Sequence, residues 1–214
     1  MARRPQTSPR KAASQQRSRA TVDALVEATA RVLVDEGYER ASTNRIAAVA
    51  GVSIGSLYQY FPSKEALVAA VAERHRQQLS QVALGAVLKV AERPVEVGAR
   101  EMVAAAIEAH RVDPDLHRVL AEQVPRVGRL EDIDAVERYA RTFVRSYLEA
   151  HRDEIDIADL DLAAFVVTTT VEALTHNAVL HRPDVLADGQ AGAFVDEVTG
   201  LLLRYLRPTG GGTS

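Results

Sequence analysis

Apolar residues recur along most of this chain at spacings of three and four, the pattern of helices that bury one side. Val22, Leu25, Val26, Ala28, Thr29, Val32 and Leu33 form one such stripe between about Ser18 and Glu36, and Gly37 follows as a left-handed cap. Two short periodic segments come next, 43–50 and 53–61, separated by Gly51-Val52. Pro62-Ser63 then precedes a long helical run over 64–91. Further helices are predicted over 95–112, 115–124, 130–152, 159–181 and 190–206, with Pro94, Pro114, Pro125, Gly128, Pro183 and Gly189 at their joints. Sustained period-two alternation is hard to find, so the expected class is all-α, with about nine helices.

The pair of short segments is the most informative stretch. Residues 42–61 read STNRIAAVAGVSIGSLYQYF, two helices of two turns joined by a glycine turn, the plan of a helix-turn-helix. Ile46, Ala47 and Ala50 give the first a narrow apolar face, and the small Ala47 permits a close crossing. Gly51 can take the positive φ of the turn, and Ser53 can cap the second helix with its hydroxyl. At 100° per residue, Ile54, Leu57, Tyr58 and Phe61 fall on one side of that second helix, and Gly55, Ser56, Gln59 and Tyr60 on the other. The outward side offers hydroxyls, an amide and a bare backbone position but no charge. Those groups suit base edges and phosphates in a DNA major groove. Lys64, one turn beyond, adds a charge for phosphate.

Composition narrows the alternatives. With 47% apolar residues and a net charge of −3 over 214 residues, the chain has the make-up of a globular protein rather than a disordered one. No stretch approaches the ~18–20 apolar residues of a membrane span. The absence of cysteine excludes disulfides, thiolate metal sites and thiol catalysis. The first 22 residues carry Arg3, Arg4, Arg10, Lys11, Arg17 and Arg19 with no acid and no apolar run. No secretory signal is read there, and a cytoplasmic location is expected. The remaining 192 residues sum to −9. A basic arm on an acidic body fits contact with a polyanion at one end, or a solubilising tail.

From Arg19 to about Leu79 the chain resembles the DNA-binding domain of tetracycline-repressor (TetR) family regulators. The resemblance rests on Glu36-Gly37-Tyr38, Thr43 with Ile46-Ala47, Ala50-Gly51-Val52-Ser53, Gly55, Leu57-Tyr58, Tyr60-Phe61 and Ser63-Lys64-Glu65-Ala66-Leu67. It implies an N-terminal three-helix helix-turn-helix domain followed by a helical effector-binding and dimerisation domain. The corresponding division is a flexible basic arm over 1–17, the DNA-binding domain over 18–78, the effector and dimer domain over 79–207, and a disordered tail over 208–214. Carried over by position, the resemblance puts Thr43 and Arg45 near the phosphate backbone and Ser53, Gly55, Ser56 and Tyr58 toward the groove. Tyr60 and Lys64 would grip phosphates, and Gln59 would read a base. The function it implies is a ligand-responsive transcriptional regulator, a repressor released from a palindromic double-stranded DNA operator by a small-molecule effector. The competing reading is a helical scaffold module with a non-specific basic arm.

The carboxy-terminal two-thirds carries no recognisable chemistry of its own. Helices 159–181 and 190–206 are apolar around more than one stripe, which demands two partners: their own core plus a second subunit, or a core that encloses them entirely. Val166, Val171, Leu174, Phe194, Val198, Leu202 and Tyr205 are the candidate contacts of a homodimer. Candidate effector-pocket residues are Tyr139, Phe143 and Tyr147, an aromatic stripe, with Phe165, Thr169, Glu172 and His176 on one face of the next helix. His110 and His117, flanking Pro114, join them. His110, Asp113 and His117 could reach one ion, but no helical i, i+4 histidine pair supports this, so neither metal nor cofactor is expected. Gly51-Val52-Ser53-Ile54-Gly55 matches the G-x-S-x-G elbow of α/β hydrolases; that elbow needs a preceding strand, and an alanine-rich helix stands there instead. No enzymatic activity is expected.

Overall fold

A computed structural model describes residues 16–124, 130–187 and 189–207. Among the described residues there are nine α-helices and no strands. They are α1 (Gln16–Glu36), α2 (Thr43–Ala50), α3 (Ile54–Tyr60), α4 (Lys64–Val90), α5 (Val95–His110), α6 (Pro114–Glu122), α7 (Leu130–Ala150), α8 (Leu160–His181) and α9 (Ala191–Leu206). Short 3₁₀ turns lie at Arg152–Glu154 and Pro183–Leu186. Expected and observed helix ends differ by at most two residues. The arm expected over 1–17 lies outside the described residues except for its last two positions, which begin α1, and the tail over 208–214 also lies outside them.

The chain divides into two compact units. The described parts of 1–77 and 115–129 form the first, and those of 78–114 and 130–214 the second. This differs from the expected division at residue 78 in one respect: all of α6 after Pro114 groups with the first unit. The cause is apolar packing. Leu116, Val119 and Leu120 are buried in the same core as Leu25, Val32 and Leu33 of α1, Ile46 and Ala47 of α2, Leu57 of α3, and Leu67 and Val71 of α4. Gln123 adds a polar tie, its Oε1 accepting the Tyr38 amide at 3.1 Å. His75 of α4 is buried there as well, with its Nε2 3.1 Å from His117 Nδ1.

In the second unit, one core joins Val103 and Ile107 of α5, Ala178 and Val179 of α8, and Val195, Val198 and Leu202 of α9. Another joins Val95, Leu148, Leu160, Ala163 and Leu206. Glu154 ties chain segments distant in sequence. Its carboxylate accepts the Val95 amide at 2.9 Å and the Arg207 Nη2–H at 2.8 Å, while its carbonyl accepts from Arg207 Nε at 2.7 Å. Asp159 caps α8, its Oδ1 accepting the amides of Asp161 and Leu162 at 3.0 Å each.

Candidate nucleic-acid interface

The turn between α2 and α3 is built as its sequence requires. Ser42 caps α2, its Oγ accepting the Arg45 amide at 3.2 Å. Gly51 ends the helix at φ 68°, in the left-handed region, and its amide donates to the Ala47 and Ala48 carbonyls. Ser53 caps α3 by accepting the Ser56 amide at 3.1 Å. These caps fix the angle at which α3 leaves α2 with backbone and hydroxyl bonds, and leave its side chains to divide between core and solvent.

That division differs from the expected one. Leu57 and Phe61 are wholly buried, as expected, and Tyr60 packs half-buried against the same core. Ile54 and Tyr58, expected inward, are exposed, Tyr58 by 41%. The buried side of α3 is thus centred near Leu57 with Tyr60 and Phe61 flanking it, rotated by roughly 60° from the expected face at 100° per residue. The reason is local. A two-turn helix anchored by its C-terminal half against α1 and α4 has no partner for a side chain in its first turn. Ser53, Gly55, Tyr58 and Gln59 therefore lie on the exposed side and Ser56 at its edge. At Gly55 an added Cβ would meet nothing nearer than Ser53 Oγ at 3.9 Å, so a partner's backbone or phosphate can approach closely there.

Three expected phosphate contacts are held by intramolecular bonds. Thr43 Oγ1 and Tyr58 Oη stand 3.1 Å apart, hydroxyl to hydroxyl, linking α2 to the exposed side of α3. Arg45 donates from Nε to Glu36 Oε1 at 2.6 Å. Lys64 donates from Nζ to the Tyr38 carbonyl at 2.9 Å and sits 4.1 Å from the centre of the Tyr38 ring, a cation–π contact. Burial, then the charges of Glu65 and Glu39, holds the Tyr38 hydroxyl above its ordinary pKa. Glu36 and Tyr38 thus organise two of the cations singled out in the sequence; their place just after the Gly37 cap was the available signal, but the pairing needs the folded chain.

The expected effector residues are dispersed. His117 lies in the first unit beside His75. Tyr139, Phe165, Thr169 and Glu172 are exposed in this chain and so do not line an enclosed cavity within it, a departure from the expected pocket. Arg141 caps the outer face of Phe165 at 5.6 Å. Phe143 and Tyr147 stack with ring centres 6.1 Å apart, but Tyr147 is committed to structure, its hydroxyl donating to the Arg93 carbonyl at 2.7 Å. His110, Glu172 and His176 do come together: His110 Nε2 is 3.3 Å from Glu172 Oε1, and its ring meets that of His176 edge-on at 5.8 Å. Burial lowers the pKa of His110, and the hydrogen bond and charge of Glu172 with the Ala106 carbonyl raise it; the net result lies above the ordinary value.

Of the expected dimer contacts, Val198 and Leu202 are buried in the subunit's own core, which corrects their assignment. Val171 and Phe194 pack partly against that core and Tyr205 partly against its neighbour, while Val166 is half-buried. Leu174 remains exposed. The sequence reading missed Leu162, Phe165 and Leu201 as surface apolar groups, and they are 54%, 47% and 44% exposed. On helices apolar all round, composition does not reveal which side meets solvent.

Residues 25–71 match the family model of bacterial regulatory proteins, tetR family, and residues 94–206 match that of the tetracyclin repressor-like C-terminal domain. The chain belongs to the TetR family. Among curated proteins, this TetR-family chain is 34% identical over 86 residues to the nucleoid occlusion factor SlmA of Haemophilus ducreyi, covering 40% of the chain and 42% of that protein. It thus spans under half the length of the curated relatives it matches. Among solved structures it is similar to the fatty acid degradation regulator FadR from Bacillus halodurans, at TM-score 0.64 and 21% identity over 86% of this chain and 94% of that one. A TetR-like transcriptional regulator from Rhodococcus sp. aligns at TM-score 0.64 and 20% identity, over 89% and 97% respectively. At such identities the structural likeness establishes the TetR fold. Among the described residues no helix is long and apolar enough to cross a membrane.

Proposed function

We propose that this TetR-family chain is a homodimeric, ligand-responsive DNA-binding transcriptional regulator, a repressor that leaves a palindromic operator when a small molecule binds its second unit. The observation that carries the proposal is the exposed side of α3. A helix wholly buried at Leu57 presents hydroxyls, an amide and a bare glycine outward, with no charged residue in its seven positions. Such a surface gains little solubility from its composition and matches the donor and acceptor pattern of base edges. Ser53, Gly55, Ser56, Tyr58 and Gln59 face the groove in this reading, and Gln59 is the base reader. Thr43 orients Tyr58. Arg45 and Lys64, already positioned by Glu36 and Tyr38, contribute positive potential at the phosphates.

Dimerisation follows from the apolar groups left on α8 and α9. Leu162, Phe165, Leu174 and Leu201 are all exposed in the single chain, and a second copy of the same surface would cover them about a two-fold axis. Two copies of α3 about one turn of DNA apart, roughly 34–36 Å, would then read inverted half-sites. A small molecule that changes that spacing weakens both half-sites at once; couplings of about 1–3 kcal/mol are typical.

Selection of duplexes from a random library tests the reading directly. Enrichment of an inverted repeat is expected, with affinity falling steeply as salt rises. Recovery of unenriched sequence at uniform affinity would instead support a scaffold with non-specific charge contacts and would end the operator reading.

A further inference from the structure

We propose that the second unit carries a transition-metal site formed by His110 of α5 with Glu172 and His176 of α8, taking a borderline divalent ion such as zinc, cobalt or nickel. The site goes beyond the regulator reading and does not depend on it.

The tautomer of His110 comes first. Its side chain is only 6% exposed, and Nδ1 lies 2.7 Å from the Ala106 carbonyl oxygen. A carbonyl can only accept, so Nδ1 carries the hydrogen and the neutral ring presents its lone pair at Nε2. Metal-binding histidines are oriented in this way, by a backbone carbonyl that holds the other nitrogen and strengthens the ligand. Nε2 faces Glu172 Oε1 at 3.3 Å. A lone pair and a carboxylate attract one another only with a cation between them, a proton or a metal ion. Bonds of ~2.0–2.1 Å around a tetrahedral ion put neighbouring donors about 3.3–3.4 Å apart, the separation found here.

The third donor comes from the same helix as the second. Glu172 and His176 are one turn apart on α8, at i and i+4, so both can reach a ligand from a facing helix. The ligand nitrogens of His110 and His176 lie within 4.8 Å of one another. His176 is half-buried and Glu172 exposed, so the gap can close by a side-chain rotation, and an ion reaches the site from solvent. Two imidazoles and one carboxylate form a nitrogen–oxygen set without sulfur, which favours zinc, cobalt, nickel or copper(II) over calcium or magnesium. They leave a divalent ion one net positive charge and a fourth position for water or an anionic oxygen ligand. The sequence alone did not suggest this set because its partners are 62 residues apart.

The experiment uses the full, untagged chain, stripped with chelator and titrated with cobalt(II) by visible absorption and with zinc(II) by calorimetry. One ion per chain is expected, with the strong visible bands of four-coordinate cobalt. His176→Gln and Glu172→Gln, both at positions that do not build the core, should each weaken binding at least about tenfold while leaving helicity and melting unchanged. His151→Gln, elsewhere in the unit, should bind as wild type. The proposal is overturned if the chain takes up no stoichiometric metal, which would leave a proton as the cation between His110 and Glu172. Binding that survives both α8 substitutions, or falls equally with His151→Gln, would also overturn it.

Discussion

Substituting Gln59→Ala separates the two sides of α3 more cleanly than any other single change. Gln59 is exposed and contributes nothing to the buried core, so its loss should alter folding stability by no more than about 0.5 kcal/mol. Its neighbour Leu57 is wholly buried; Leu57→Ala should cost about 2–5 kcal/mol, from lost transfer energy and the cavity left behind. Binding should show the reverse weighting. A side-chain amide paired with an adenine edge contributes about 1–3 kcal/mol of discrimination. A two-fold dimer makes the contact twice, so the selected duplex should lose about 2–6 kcal/mol, thirtyfold or more in affinity. Fluorescence anisotropy against the selected duplex and a scrambled one of equal length reads both quantities. Affinity for the scrambled duplex should stay unchanged, because phosphate contacts are untouched. Wild-type affinity for the selected duplex would refute the reasoning, and so would an equal loss on both duplexes, which would make Gln59 a backbone contact.

Other expectations concern the second unit. A Cβ added at Gly98 would collide with the Tyr147 hydroxyl and lie 2.8 Å from its Cζ; Gly98→Ala should therefore destabilise by about 1–3 kcal/mol in thermal melting, and Tyr147→Phe in that background should recover part of the loss. Burial first, then the charge of Glu154, with Glu101 adding and Arg207 opposing, pushes the Tyr147 hydroxyl up to about 12. The unfolded chain releases that proton near 10, so the stabilisation is complete below pH 10 and disappears as pH rises from 10 to about 12. Denaturation across that window should show the decline, and Tyr147→Phe should remove it. Leu201→Glu and Phe165→Glu, each at an exposed position, should convert the dimer to a folded monomer by sedimentation; a persisting dimer would place the interface elsewhere.

Much of the fold was legible because helices declare themselves locally. The stripe through Leu25, Val32 and Leu33, the Gly51 cap and the Ser53 cap depend on residues within one or two turns of each other, and all three appear where periodicity put them. The rotation of α3 was not legible, because Tyr58 and Tyr60 are both amphipathic and either could face a core. Which one does depends on where α1 and α4 run. The same holds for α8: its mixture of apolar residues with Thr169 and Glu172 predicted a pocket wall, yet those residues face solvent in the single chain.

By itself the sequence determined the helical class, the positions of the joints and the resemblance that leads to the TetR family, because caps, turns and hydrophobic periods act over a few residues. Tertiary structure alone decided that α6 packs with the first unit, that Arg45 and Lys64 are pinned by Glu36 and Tyr38, that Val198 and Leu202 face inward, and that His110 meets Glu172. These are pairings across tens of residues. Many partners satisfy the same local pattern, and the chain settles among them only when the whole core competes for a common burial.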